Sequence, residues 1–461
     1  MTNTNPTSDH RGGASENANP ASAGPRGAFS GDSPGAKALL DTPAADIEPP
    51  RGDRGDGSGH VVLDWNEQLV ETVREASVGV PTTTRLTAMM NLSIHDAVNG
   101  INLARSLESA YEQYHVDSSA APAGASRPAA AAAAAHRVLS ELYPNQLDVF
   151  STQLVDHLSE LEPGLSVKLG LVWGTNVANE ILELRAKDGA NEDDDYEACE
   201  SPDDPEPGCF RRSASWGSSH YAFLDTWVMT SQDEFRPEAP PALDSEQYAA
   251  DVEEVYEKGH ADELTEEEKA IAAFWRGTGG TARPPGRWIL IALEAAKDHD
   301  NSLLDNARIF SLLGLAMGDA GIVTWESKRY YGLWRPRTAI YEADSDGNTA
   351  TQADPDWTSF ALGGSPEYAS GLALFGGAGA TVLEHFFGED YSFDLTVRSG
   401  FSSDELEDVT RSYDSFDDAL EESRESRLFV GNHFPTTLAV SRDVGRNLGE
   451  YVLENALEPV N

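Results

Sequence analysis

The sequence predicts an all-α protein built of helical bundles. Apolar residues recur at helical spacing in segment after segment, strand-like alternation is almost absent, and one helix is written almost entirely in alanine. Residues 1–60 are rich in Gly, Pro, Ser, Asn and Asp with few large apolar side chains, so they cannot repay the entropy of ordering and are expected as a disordered tail. From Val61 onward the spacing predicts helices over Trp65–Ala76 and Thr83–Ile101. An Ala-rich helix follows from Pro128 through His136 to Leu142, and helices at 146–160 and 166–187 complete an N-terminal half at 61–188.

Residues 189–245 are acidic and Pro-rich with scattered aromatics, and read as a surface excursion between two halves. The C-terminal half, 246–456, carries helical patterns at 246–258, 264–276, 286–297, 303–335, 371–387, 404–424 and 433–456. No internal repeat of fixed period is visible.

Charge narrows the function classes. Lys plus Arg total 33 against 78 Asp plus Glu, a formal net charge of −45, so the surface repels nucleic-acid phosphate and anionic headgroups. Nucleic acid is therefore not an expected partner. Such a surface repels itself in dilute buffer, whereas molar salt cuts the screening length to roughly 3 Å. A halophilic habitat is the expectation, with an acidic protein of ordinary cytosol as the alternative.

No apolar run reaches the roughly 20 residues a bilayer requires; the best candidate, Ile309–Val323, is short and carries Asp319. The N-terminus lacks a charged region followed by an apolar one, so a cytoplasmic location is the default, with export open. Oligomeric state is not encoded in any feature. Cys199 and Cys209 could close a ten-residue loop as a disulfide or stay reduced, and without neighbouring histidines they make a poor zinc site.

Three segments carry chemistry. WESKRYYGLWRP puts Lys328 and Arg335 seven residues apart, which on a continuous helix returns to nearly the same face, shared by Trp325; Pro336 ends that helix at the arginine. Alone, this segment reads more readily as a solvated basic helix face. SPEYASGLALFGG brings Ser370 and Gly371 to the start of a small-residue helix, whose free N–H groups and dipole favour an anion, or whose serine is an ordinary cap. SRLFVGNHFP offers Arg427 and, six residues later, His433.

In order and spacing these segments resemble the signature of the vanadium haloperoxidase and type 2 phosphatidic acid phosphatase superfamily: Lys, six residues, Arg-Pro; Pro-Ser-Gly-His; Ser-Arg, five residues, His. MMNLSIHDAVNGIN, HRVLSELYP and NARIFSLLGLAMGDAGIVTWESK also look like the family, and the resemblance runs from about 61 to 456. It implies helical bundles of the vanadium chloroperoxidase and phosphatase kind. Lys328, Arg335, Ser370, Gly371 and Arg427 would hold the oxygens of vanadate or phosphate, with Lys328 also catalytic, and His433 would be the axial metal ligand or nucleophile.

The implied activity is oxidation of halide by hydrogen peroxide at vanadate. The alternatives are hydrolysis of a phosphate ester through a phosphohistidine at His433, or oxyanion binding without catalysis. Three departures stand out. The acid/base histidine after Ser-Gly is Leu372, whose side chain cannot move a proton. Ala369 stands where proline is usual, and Thr437 where many members carry aspartate. Turnover is therefore expected to suffer more than oxyanion binding.

Other residues point less sharply. His385 lies fourteen residues after Gly371, about 21 Å along a helix, too far to replace position 372. His95 reads as structural, and Asp96 as either a cap or a support for a pocket arginine. Ser365, five before Ser370, would line the halide side by the resemblance, and the DSDGN run at 344–348 reads as a turn.

Overall fold

A computed structural model describes residues 59–460 apart from 108–109, 194–195, 197–205, 212–215, 362, 401, 403 and 405. Nearly all of the expected N-terminal tail, and Cys199, therefore lie outside the described residues. Cys209 is disulfide-bonded, and the sequence holds one other cysteine, Cys199.

The fold is mostly helical. In chain order it comprises α1 His60–Glu75, α2 Val80–Ala104, α3 Arg127–Leu142, α4 Leu147–Ser159, α5 Leu165–Leu184, α6 Glu246–Lys258, α7 Glu266–Arg276 and α8 Arg283–Asp298. Then come α9 Leu303–Tyr331, α10 Pro336–Tyr341, α11 Gly371–Phe387, an antiparallel hairpin of β1 Phe393–Ser399 and β2 Glu407–Tyr413, α12 Phe416–Phe429 and α13 Pro435–Asn455.

Local chemistry sets many of these starts. Ser126 caps α3, with Pro128 in its first turn. Thr265 with Glu268, and Ser302 with Asp305, form reciprocal capping boxes at α7 and α9. Small residues let helices meet backbone to backbone. A Cβ on Gly174 would lie 2.1 Å from the Ala130 carbonyl oxygen, drawing α5 onto the alanine-rich α3, and one on Gly445 would lie 2.2 Å from the Leu374 carbonyl oxygen, drawing α13 onto α11.

The central element is α9. Among the described residues it is the one helix long and apolar enough to cross a membrane, yet 94 % of its most apolar stretch is buried inside the fold. Asp319, fully buried in its middle, accepts the backbone N–H groups of Trp227, Val228 and Met229 at 2.8, 2.8 and 3.0 Å. Asp319→Ala is expected to cost about 3–5 kcal/mol, because it strips two buried donors and one part-buried donor of their acceptor, at about 1–3 kcal/mol for each buried one. A chemical denaturation series checks this.

Three sequence expectations are corrected. Part of 189–245, expected as a surface excursion, is core: Trp216, Tyr221, Leu224, Trp227 and Met229 are buried in the main apolar cluster, which runs from Val61 to Leu457. The pattern read as a helix over 404–424 contains β2, and α12 begins only at Phe416 behind a Ser415 cap. FDLTVRS alternates buried and exposed positions along β1, a signal masked by the charged partner strand. The helix expected over 303–335 stops at Tyr331, because Gly332 takes a left-handed conformation at φ 53° and closes the last turn on Lys328.

Candidate oxyanion site

That helix break changes how the two cations meet. Lys328 and Arg335 do not share a helix face: Lys328 sits in the last turn of α9, whereas Arg335 is the cap residue of α10, with Pro336 in that helix's first turn. Leu333, between them, forms an isolated bridge with Cys209. The chain reverses at Gly332, and both side chains converge on the 365–367 segment.

Lys328 Nζ donates to the carbonyls of Pro366 and Glu367 at 2.6 and 3.1 Å. Arg335 donates to the carbonyls of Ser365, Asn432 and Pro366 at 2.8, 2.8 and 3.1 Å, and to Ser365 Oγ at 3.2 Å. Its guanidinium lies against Gly363, where a Cβ would fall 2.5 Å from Cζ. Arg427, in the last turn of α12, donates to Ser426 Oγ at 3.1 Å.

His433 stands between α12 and α13. Its Nε2 lies 3.0 Å from an Arg335 guanidinium nitrogen, which can only donate, so Nε2 is the accepting nitrogen. Nδ1 then carries the proton and donates to Glu367 Oε1 at 2.8 Å. Glu367 also accepts from Phe434 N at 3.0 Å and from Thr437 Oγ1 at 2.9 Å. This carboxylate was not legible in the sequence. The one available clue was Thr437, the departure from the usual aspartate: the hydroxyl there reaches a carboxylate supplied from the other side of His433.

Ser370 and Gly371 open α11 as expected. Ser370 does not cap its own helix, and among the described residues its buried Oγ has no hydrogen-bond partner. Its backbone N–H is held by Ser441 Oγ at 2.9 Å. A Cβ on Gly371 would meet Thr324 Cγ2 at 3.1 Å, so the helix start packs closely against α9. Leu372, next in line, is buried and belongs to the main apolar cluster.

The electrostatics call for an anion. Burial, then Arg335, holds Lys328 well below its ordinary value. Burial lowers Arg335 to about 10, and burial with Arg276 and Arg335 lowers Arg427 to about 9. Burial and the three cations hold His433 well below the imidazole range, so it is neutral, with its Nε2 lone pair accepting from Arg335. Glu367 is pushed up by burial to about 7, against the pull of Arg335 and Lys328. Lys328 and Arg335 thus share the Glu367 carboxylate, and Arg427 lies in the field of Arg335 and Arg276.

A further cation was missed in the sequence. Arg287 on α8 is fully buried in the field of Arg427 and is lowered to about 9, by burial first. It donates to the Trp275 carbonyl at 3.0 Å, while its Nε and one terminal nitrogen have no partner among the described residues.

The remaining sequence candidates lie elsewhere. Among the described residues Asp96 supports no pocket arginine; it accepts Tyr114, His115 and Val116 N–H groups at 2.8, 2.9 and 3.0 Å and pins that segment to α2. His95 is fully buried beside it. His385 lies near the far end of α11. Asp346 closes the 344–348 turn by accepting Asn348 N at 2.7 Å and Thr351 Oγ1 at 2.7 Å.

Comparison with known proteins bears on the family and the fold. Residues 308–461 match the VCPO second helical-bundle domain, a stretch that holds every expected oxyanion residue. The chain is 25 % identical over 203 residues to the vanadium chloroperoxidase of Curvularia inaequalis, a match covering 34 % of this chain and about a third (33 %) of that protein. Among solved structures, a bacterial vanadium-dependent iodoperoxidase superposes with a TM-score of 0.70 at 22 % identity, over 90 % of this chain and 99 % of that one. The holo form of a bacterial vanadium-dependent chloroperoxidase gives 0.63 at 18 %, over 82 % and 91 %.

Proposed function

We propose, for a chain that belongs to the vanadium haloperoxidase family through its second helical-bundle domain, that this pocket binds vanadate and slowly oxidises halide with hydrogen peroxide. The observation that carries the reading is the orphaned, buried Ser370 Oγ at the start of α11, beside a cluster of cations short of counter-charge. Those residues fit an oxyanion. Lys328, Arg335, Arg427, Ser370 and the Gly371 N–H would hold its oxygens, and His433 Nε2 its metal centre.

When bound, vanadate supplies Lewis acidity that activates hydrogen peroxide toward halide. The chain's own residues prepare the site. Glu367 fixes the Nδ1–H tautomer of His433, so the Nε2 lone pair is the one that would hold vanadate. Arg335 donates to that nitrogen, and a bound oxyanion would offer its guanidinium an alternative acceptor. Lys328 neutralises charge from its seat on the 366–367 carbonyls. Leu372 cannot carry a proton, so turnover is the weakened step.

Phosphate-ester hydrolysis is the second reading, favoured by the same Glu367–His433 pair. Nε2 would attack phosphorus and expel the alkoxide, and water would then cleave the N–P bond. Without a proton donor at Leu372, good leaving groups such as aryl oxides are the substrates expected to turn over.

The test is iodide oxidation by hydrogen peroxide, with and without added vanadate. The reading requires vanadate-dependent oxidation that is lost in His433→Ala. Bound vanadate without oxidation would favour an oxyanion-binding protein; His433-dependent aryl phosphate hydrolysis would favour the phosphatase.

A further inference from the structure

A second cluster of donor side chains lies on α1 and α4, elements that contribute nothing to the oxyanion pocket. His60 and Asp64 are four residues apart at the start of α1, on one helix face. His157 and Glu160 are three apart at the end of α4. His60 Nε2 lies 3.0 Å from Glu160 Oε2, and His157 Nε2 lies 3.7 Å from Asp64 Oδ2. One donor atom each from His60, His157 and Glu160 falls within 4.8 Å of the others.

His157 is the informative member. Its ring is buried between the Trp65 ring, 6.1 Å away, and the His60 ring at 5.7 Å. Among the described residues it makes no ring hydrogen bond, since 3.7 Å to Asp64 exceeds hydrogen-bond reach. An ordinary surface His–Glu pair would account for His60 and Glu160. It leaves without a role the buried His157 imidazole, which offers a nitrogen within 4.8 Å of both, and the Asp64 carboxylate 3.7 Å from that imidazole on the same helix face as His60. Lys297 does not compete for them, being engaged by Glu67 at 2.9 Å and Glu294 at 3.3 Å.

We propose that His60, Asp64, His157 and Glu160 form a site for a four-coordinate zinc-type cation that ties the start of α1 to the end of α4. Two imidazoles and two carboxylates suit Zn²⁺, whose His and carboxylate bonds of about 2.0–2.2 Å place tetrahedral donors roughly 3.3 Å apart. The separations of 3.0 and 3.7 Å bracket that value, and the partly exposed His60, Asp64 and Glu160 side chains can adjust to close the rest. Calcium and magnesium, which prefer oxygen-only cages, fit the two histidines poorly.

The full-length protein is titrated with Co²⁺ and then Zn²⁺ in molar KCl, which screens loose binding to the acidic surface. One Co²⁺ per chain is expected, with the strong visible bands of a four-coordinate nitrogen–oxygen site, displaced by one equivalent of Zn²⁺. Zn²⁺ should also raise the thermal midpoint. His60→Ala, at a partly exposed position, is expected to abolish both signals while keeping the metal-free midpoint. Glu160→Gln should weaken binding at least tenfold. The proposal is overturned by absent bands and an unmoved midpoint in the wild type, or by equal binding in both variants, which would assign the metal to diffuse acidic surface.

Discussion

Leu372→His is expected to raise vanadate-dependent halide oxidation roughly 10²–10⁴-fold, the usual contribution of a positioned proton-transfer group. Leu372 is the second residue of α11, one position past the glycine whose N–H faces the oxyanion in the proposed site. An imidazole there would stand at the positive end of the helix, which favours its neutral, proton-accepting form. Vanadate affinity should change little, because the cations and His433 are untouched. Steady-state oxidation rates at saturating vanadate make the comparison. An unchanged rate, with vanadate still bound, would mean that the pocket departs from a working haloperoxidase in more than this residue.

Glu367→Leu is expected to destabilise the fold by about 3–5 kcal/mol, the cost of removing one partner from a buried charge cluster. The substitution orphans Phe434 N, Thr437 Oγ1 and His433 Nδ1, and leaves Lys328 and Arg335 without their carboxylate. The loss should shrink on adding phosphate or vanadate, whose charge would replace that of Glu367. Glu367→Gln, which keeps an acceptor, should cost less. Denaturant titrations of both variants, with and without phosphate, separate these outcomes. Destabilisation of Glu367→Leu unaffected by oxyanion would place the charge deficit outside the binding pocket.

The helical architecture was legible because one-sided burial imposes a 3.6-residue rhythm, which α1, α7 and α8 carry, while α2, α9 and α11, buried nearly all round, read as long apolar helices. The hairpin was not, since β2 presents charged residues on its exposed face and reads like an amphipathic helix. Lys328, Arg335, Ser370, Gly371, Arg427 and His433 were found through their spacing within three short segments. Their convergence was legible only in part. Helical geometry suggested that Lys328 and Arg335 share a face, whereas a left-handed Gly332 turns the chain and brings them together from separate helices. Glu367 and Arg287 escaped notice because their roles depend on tertiary neighbours, His433 for one and Arg427 for the other.

Vanadate titration of the metal-free protein by calorimetry, on wild type and His433→Ala in parallel, tests the central claim most directly. The account predicts one vanadate per chain in the wild type and loss of that binding in the variant. Equal binding in the two proteins, or none in the wild type, would contradict a His433-centred oxyanion site.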